Sequence, residues 1–322
     1  MEDVARVAGV SRALVSIVYR DAPGASEATR ARVLAAGSEL GYRPDHRARL
    51  LGRTRTRLLG VTFDVQAPFH GDLVEALYSA AEAAGYDLAL SAVAPSRQES
   101  RAVQSLLDYR CEALVLLGPQ LSPSALTALT ESQPVIVVGR KVKATGVDVV
   151  RTDDMAGSRL AVEHLLSLGH RSILHIDGGK SSGAAERRTG YRNAMRHAGL
   201  SPLVQTGGRT EAEGADAAKT FLNDAPPATA VTLFNDRLAT GFLDTIRQSL
   251  RVPQDLSVVG YDNTTISRLS HISLTTIAQN TAALAAETIA KAHTRLTDAP
   301  TAPTPPIPPT LVPRSTTSPP AS

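Results

Sequence analysis

Two hydrophobic rhythms divide this chain, and the change falls near residue 58. Before it, apolar residues recur at helical spacing. Val4, Ala5 and Ala8 form one stripe, Gly9-Val10-Ser11 interrupts it, and Val15 and Val18 resume it. Gly9 can take a positive φ, and Ser11 stands where it would cap a second helix. Two short helices joined by a glycine-containing turn make the unit that lays its second helix in the major groove of DNA. A third helix is expected from Ser26, as N-cap, through Thr29, Val33, Leu34 and Leu40 to Gly41. Gly37 inside it should cost about 1 kcal/mol relative to alanine. Residues 45–57 offer only Ala48, Leu50 and Leu51 as apolar positions of any size, so they read as a linker able to become a short helix against DNA.

From Leu58 onward, strand-like apolar runs alternate with amphipathic stretches. Leu58–Phe63 is followed by a helix near 71–84, Asp87–Val93 by a helix near 97–109, and Ala113–Leu117 by a helix near 123–131, before a strand at Pro134–Val138. The pattern then repeats. A helix at 156–168 precedes strand Ser172–Ile176 and helix 184–198, and strands near Leu203, Val231 and Val258 follow, separated by helices 211–223 and 237–249. Near-continuous apolar strands alternating with helices indicate parallel sheets covered on both faces. The expected fold class is therefore α/β: a small all-α helix-turn-helix head plus a two-lobed, doubly wound parallel-sheet body. The expected boundaries are 1–44 for the head, 45–57 for a hinge helix or linker, 58–310 for the body, and 311–322 for a strand end and flexible tail. Ligands of such sheets lie beyond the carboxyl ends of the strands. That rule singles out Phe69, Arg140, Asp153, Gly178, Asn235 and Asp262.

Charge sharpens the picture of the head. Residues 1–60 contain 11 arginines, no lysine and six acids, a net +5 in a chain whose total is +3. Arg43, Arg47, Arg49, Arg53, Arg55 and Arg57 fall in one stretch, a footprint suited to neutralising phosphates. The chain has 43% hydrophobic residues, enough for a real core, and a single cysteine, which excludes an internal disulfide framework. With no long apolar run and no signal-like opening, the expected location is the cytoplasm, with no membrane partner.

Several runs carry a resemblance to a known family. In the head they are Asp3-Val4-Ala5, Ala8-Gly9-Val10-Ser11, Val15-Ser16, Ser26-Glu27-Ala28-Thr29-Arg30 and Leu40-Gly41-Tyr42-Arg43-Pro44. In the body they include Ala161-Val162-Glu163-His164-Leu165, Glu186-Arg187, Gly190-Tyr191, Asn235-Asp236, Leu256-Ser257-Val258-Val259-Gly260-Tyr261-Asp262 and Leu274-Thr275-Thr276-Ile277. In this order across nearly the whole chain, they resemble the LacI/GalR family of bacterial transcription regulators. The resemblance implies a homodimeric repressor whose head and hinge bind a palindromic operator in double-stranded DNA. It also implies a body like periplasmic sugar-binding proteins, holding a small effector, a sugar or sugar-like molecule. No metal or other cofactor is implied, and no enzymatic activity. An activator, or a regulator answering a purine, is the alternative within the class. Outside it stand a transport-type sugar-binding protein and an NAD-dependent dehydrogenase. The chain departs from the family at several places. The family usually has two or three more residues before Asp3, so Met1 would begin inside the first helix. Ile17 stands where a base-reading arginine is common, Leu14 where threonine is, and Arg20 where asparagine is.

The site residues follow from these two readings. Ser11, Arg12 and Ala13 open the second helix. Arg12 can bond guanine bidentately or hold a phosphate, and Ala13 can touch a thymine methyl. Ser16 and Thr29 suit phosphate oxygens. Ile17 and Arg20 lie on the same helix or its end, and Arg49 lies in the basic linker. Leu51 aligns with the family's hinge leucine, which wedges into the minor groove; packing of the linker on the body is its other reading. In the body, Arg187 follows a glycine-rich loop, and its guanidinium fork can hold two hydroxyls or a carboxylate, or pair with Glu186. Asn235 and Asp262 end buried strands and would complete a polyol-reading trio. Asp236 is expected to cap the next helix. Phe69 and Arg140 could line the other lobe, with Phe69 stacking on a sugar face or serving the core. The family often has Asn-Pro-Phe-Phe where this chain has Ala67-Pro68-Phe69-His70. Enzyme signatures fail. Gly179-Lys180-Ser181 lacks the earlier glycine of a phosphate loop, no glycine-rich dinucleotide turn follows the first strand, and His164, His170 and His175 lack metal-ligand spacing.

Overall fold

The structure, a computed structural model, describes residues 1–42, 55–299 and 302–321. Arg49 and Leu51, with the rest of the basic linker from 43 to 54, lie outside the described residues. The chain forms two compact units, Met1–Thr56 and Arg57–Ser322.

Among its described residues the first unit holds three helices, α1 (Glu2–Ala8), α2 (Arg12–Tyr19) and α3 (Glu27–Glu39). Gly9 ends α1 with φ +61°. Ser11 caps α2 by accepting the Leu14 N–H at 3.2 Å, and Ser26 caps α3 by accepting that of Thr29 at 3.3 Å. Val4, Ala5, Ala8, Val15, Val18, Val33 and Ala36 close a small core. The expected α3 stripe is shifted: Leu34 and Leu40 are exposed, while Val33, Ala36 and Gly37 face inward. Gly37 is therefore no mere weakness. A Cβ there would sit 1.6 Å from the Tyr19 hydroxyl oxygen, so only glycine lets that ring lie across α3.

The second unit is two-lobed. In lobe 1, strands β1 (Leu58–Asp64), β2 (Asp87–Val93), β3 (Ala113–Leu117), β4 (Val135–Val138) and β5 (Val147–Val150) form one sheet in the order β2-β1-β3-β4-β5, wholly parallel. Its helices are α4 (Pro68–Ala83), α5 (Glu99–Asp108) and α6 (Pro123–Leu129). In lobe 2, α7 (Asp154–Ser167), β6 (Ile173–Asp177), α8 (Ala184–His197), β7 (Leu203–Thr206), α9 (Glu211–Asp224), β8 (Ala230–Leu233), α10 (Asp236–Ile246), β9 (Ser257–Asp262) and β10 (Thr275–Ala278) follow. Then α11 (Thr281–Leu296) and β11 (Thr310–Val312) follow. The second sheet runs β11-β10-β9-β8-β6-β7, with only β11 antiparallel. Strands β3, β4, β6 and β8 are buried at every position, as parallel strands covered on both faces must be.

The lobes are not simply consecutive. Helix α11 follows a strand of lobe 2, yet buries Leu284, Ala285, Ile289 and Ala292 against Leu59, Leu73 and Leu77 of lobe 1. The returning chain pairs with the earlier crossing: Asp153 N–H bonds the Ile307 carbonyl at 2.9 Å, and Ile307 N–H bonds that of Arg151 at 2.8 Å. The segment expected to be a flexible tail is docked on lobe 2. The Thr316 hydroxyl donates to the Val258 carbonyl at 2.7 Å and accepts the Thr275 N–H at 2.9 Å, both in the interior. Among the described residues, no helix is long and apolar enough to cross a membrane.

Alanine normally improves a helix over glycine by about 1 kcal/mol. Here Gly37→Ala should instead destabilise the three-helix unit by about 1–3 kcal/mol through overpacking. Hydrogen-exchange protection of the α1–α3 amides measures this. Pairing the change with Tyr19→Leu should restore most of the loss, and protection unaltered by Gly37→Ala would contradict the packing argument.

Candidate functional site

In the first unit, Ser11, Arg12 and Ala13 are exposed at the start of α2. Arg12 Nη1 lies 3.2 Å from Glu2 Oε1, a wholly exposed pair that other partners can displace at little cost. Arg20 is exposed and folds back, its Nε donating to the Ser16 carbonyl at 3.0 Å. Ser16 and Ile17 are half-buried. Thr29, also half-buried, shares a 2.9 Å hydroxyl contact with the α3 cap Ser26. These residues comprise one exposed arginine paired with Glu2, small side chains beside it, and hydroxyls at two helix N-termini.

In the second unit, a cleft of about 240 Å³ opens at the carboxyl ends of the strands of both lobes. Lobe 1 contributes Asp64, Gln66, Phe69, His70, Leu73, Leu117 and Val138. Lobe 2 contributes Ser181, Ser182, Arg187, Arg209, Phe234, Asn235, Arg237 and Asp262, and Gln279 follows β10. The floor is organised by Arg187, which is 6% exposed. Its Nε donates to Asp154 Oδ1 at 2.9 Å, and its Nη1 to the Phe234 carbonyl at 2.6 Å. Nη2 lies 3.5 Å from Asp262 Oδ1. The guanidinium plane sits 3.6 Å from the Tyr261 ring centroid. The expected alternative partner, Glu186, is not used among these contacts.

Burial opposes the Arg187 charge, but Asp154 and Asp262 more than offset it and raise its pKa. Burial pushes Asp262 up to about 7, while the Arg187 charge pulls it down. Asp262 also accepts the Gln279 side-chain N–H at 2.7 Å, and Gln279 Oε1 accepts the Thr152 hydroxyl at 2.6 Å. The Asp262 backbone has φ +107°, a region unfavourable for a non-glycine residue and one that clusters at ligand sites. This carboxylate can accept from a hydroxyl, and it lies beside a guanidinium that can donate to one.

The other residues singled out from the sequence fall differently. Asn235 lines the cleft, but its Oδ1 caps α10 by accepting the Leu238 N–H at 2.9 Å, and its Nδ2 donates to the Arg209 carbonyl at 3.2 Å. Asp236 is not the cap. It is fully buried and accepts the Thr264 N–H at 2.8 Å and the Thr276 hydroxyl at 2.6 Å, tying β10 to the loop after β9. Phe69 lines the cleft from the first turn of α4 while packing on the lobe 1 core. Arg140 does not line the cleft. Its Nη1 is turned to the carbonyls of Pro119 and Leu121, each at 2.8 Å.

Sequence reasoning passed over His70, Asp64, Arg209, Arg237 and Gln279. His70 Nδ1 accepts the Asp64 N–H at 3.0 Å, which places the ring proton on Nε2, and burial lowers its pKa to about 4. Three contacts join the lobes across the cleft. Arg209 Nη1 pairs with Asp64 Oδ2 at 2.8 Å, Arg237 donates to the Gln66 carbonyl, and Ser182 Oγ donates to that of Gly139 at 3.2 Å. The strand-end rule, applied to β1 and β7, would have found Asp64 and the loop that carries Arg209.

Comparison with known proteins bears on both units. Residues 1–45 match the family model described as bacterial regulatory proteins, lacI family. Residues 57–292 match the model described as periplasmic binding proteins and sugar binding domain of LacI family. The chain belongs to the LacI family. Among curated relatives, the HTH-type transcriptional regulator DegA of Bacillus subtilis (strain 168) is 32% identical over 88% of this chain and 88% of its own length. A solved LacI transcriptional regulator from a Rhodococcus species is 49% identical, with TM-score 0.79, covering 81% of this chain and 98% of that one. The lac repressor dimer bound to operator and the anti-inducer ONPF is 30% identical, with TM-score 0.83 and 98% coverage of both chains. This LacI-family chain is thus a DNA-binding transcriptional regulator with a sugar-binding-type body. Its relatives are regulators rather than named enzymes.

The buried histidines give a pH signature. His175 lies 3% exposed, and burial, with Arg187, Arg188 and Arg192 nearby, lowers its pKa from 6.5 to about 3. As pH falls below 6.5 the unfolded chain takes this proton first, so the stability contributed by neutral His175 is lost downward through the window from 6.5 toward 3. Asp236 and Asp262, whose folded pKa values are raised, act with the opposite sign and flatten the overall profile. The difference between the parent and His175→Gln isolates the histidine. It should move by about 2 kcal/mol in the variant's favour between pH 7 and pH 5 in denaturant melts. A difference that does not change with pH would mean that His175 titrates normally.

Proposed function

We propose that this regulator is a homodimeric repressor that acts in the cytoplasm on a palindromic operator, with its operator affinity set by a sugar held in the cleft. The observation that carries the reading is the Arg187–Asp262 pair beside Asn235, presented at the strand ends between two lobes. A guanidinium, a carboxylate and an amide supply the donors and acceptors that adjacent hydroxyls need. In this reading Ser11, Arg12, Ala13, Ser16, Ile17, Arg20 and Thr29 meet DNA through α2 and the start of α3. Arg49 contacts the duplex and Leu51 enters the minor groove. Phe69 offers an apolar face to the sugar ring. The operator-bound dimer of the related lac repressor supports the two-fold arrangement, and the sugar-binding description of the matching family model supports the ligand class.

Fluorescence anisotropy of a labelled operator, with neutral sugars added in turn, tests the reading. One of them should change operator affinity, and by reciprocity operator DNA should change the affinity for that sugar by the same factor. Asp262→Asn keeps an acceptor for Gln279 but removes the charge. It should weaken sugar binding about ten- to a hundredfold, the loss expected for a charge-assisted hydrogen bond, with operator affinity of the sugar-free protein retained. A sugar bound equally by parent and variant would place the pocket elsewhere.

The head gives its own test. Operator affinity should fall steeply with salt, because each neutralised phosphate releases a counterion. Leu51→Ala should weaken binding to the operator more than binding to random DNA. Equal losses on both would remove the wedge from this account.

A further inference from the structure

The cleft is balanced in charge, and the balance has a specific source at its mouth. Among the described residues lining it, the cations are Arg187, Arg209 and Arg237. Each is already engaged by acid. Arg187 lies between Asp154 and Asp262, Arg237 grips Glu211, and Arg209 crosses the cleft to Asp64. His70, the histidine on the lining, has its Nδ1 committed as an acceptor, so at neutral pH it offers an uncharged N–H. Glu99 adds another carboxylate, accepting the Gln120 N–H at 2.9 Å.

The three pairs differ in how firmly they are fixed. Arg187 has 7% of its side chain exposed and lies between two acids, and Arg237, 17% exposed, is gripped by Glu211 of the neighbouring helix and also donates to the Gln66 carbonyl. Arg209 has 51% of its side chain exposed, while its partner Asp64 is 16% exposed and fixed at the end of β1. Asp64 Oδ1 also accepts the Gln66 N–H at 2.9 Å, which sets the carboxylate's direction. Of the cations on this lining, Arg209 is therefore the one whose charge would face an incoming ligand if Asp64 were neutral.

We propose that Asp64 determines the charge class of the effector: by occupying the Arg209 guanidinium it closes the cleft to phosphorylated or carboxylated ligands and restricts it to uncharged polyhydroxylated ones. The inference rests on the cleft being the effector site. Asp64 is a positioning residue here, acting through Arg209. A phosphate entering the mouth meets Asp64 and Glu99 as repelling charges and must displace one carboxylate from its partner. A neutral hydroxyl can use the remaining donor and acceptor sites of the pair without separating it. The cleft volume of about 240 Å³ fits a single sugar ring and its hydroxyls better than a larger glycan.

Calorimetric titration of the full-length protein tests this with inorganic phosphate and with matched pairs of D-glucose and glucose 6-phosphate, and D-galactose and galacturonate. In the parent, phosphate should not bind measurably, and within each pair the charged member should bind more weakly. Asp64→Asn keeps an acceptor for the Gln66 N–H and removes the charge. It should bind inorganic phosphate at least about tenfold more tightly than the parent, the change expected of one freed charge-assisted contact. Added sodium chloride should weaken that gain, and the double change Asp64→Asn with Arg209→Gln should abolish it. A purely structural role for Asp64 would not create an anion site. A parent that binds phosphate, or prefers a charged sugar to its neutral partner, overturns the proposal, as does Asp64→Asn with no gain. The phosphate arm stands even if no sugar shifts operator binding, so failure of the sugar reading and failure of the charge filter give different results.

Discussion

A guanidinium almost wholly withdrawn from water is the constraint around which the second lobe is arranged. Burying Arg187 without partners would be prohibitive, and breaking such a pair by removing one member costs several kcal/mol. Its partners come from three places in the chain: Asp154 at the start of α7, Phe234 just after β8, and Tyr261 with Asp262 at the end of β9. These satisfy the cation only when α7, α8 and both strand ends are in register. The same requirement explains Gly190, where a Cβ would lie 2.4 Å from the Met155 carbonyl oxygen and force α7 and α8 apart. Completing the fold of lobe 2 therefore completes the floor of the cleft, with no separate step to organise it.

What could be read from the sequence follows from how local each feature is. The buried runs at β3 and β4 announce themselves, because every side chain in them is apolar. Strand β10 does not. Thr275 and Thr276 read as polar, yet both are fully buried because their hydroxyls meet Thr317 and Asp236. Strand β5 has only four residues, and its burial alternates. Helix α11 is alanine-rich, and its assignment to lobe 1 depends on contacts with residues more than 200 positions away, which no local pattern encodes. The tail owes its order to the Thr316 hydroxyl, which donates to the Val258 carbonyl, and to the Ser257 hydroxyl, which accepts the Ser318 N–H, another signal that polarity conceals.

The same division runs through the cleft. Arg187, Asn235 and Asp262 were legible because each belongs to a strand end or to the helix following one. The choice between Asn235 and Asp236 turned on a single position. The helix begins at Asp236, so its neighbour caps it and Asp236 is left facing the core. Asp64, His70, Arg209 and Arg237 have meaning only once the two lobes face each other. Arg140 satisfied the strand-end rule, yet its guanidinium is taken by the Pro119 and Leu121 carbonyls of the loop after β3. Topology names where a ligand sits, and side-chain competition then decides which residues remain available to it.

Asp262 connects ligand holding to the joint between the lobes. Its carboxylate accepts from Gln279, on the connection from β10 to α11, and Gln279 in turn accepts from Thr152, on the connection from β5 to α7. Both connections carry the chain from one lobe to the other. A hydroxyl that competes for Asp262 thus alters the hydrogen bonding of the crossing segments themselves. Arg209–Asp64 and Ser182–Gly139 also bridge the lobes at the same opening. A ligand can bias lobe orientation only through contacts that differ between two arrangements. The residues whose contacts must differ are those bridging the lobes. In this protein several of them, Asp64, Ser182, Arg209 and Asp262 among them, line the cleft, so under the proposed function binding and switching would share hydrogen bonds.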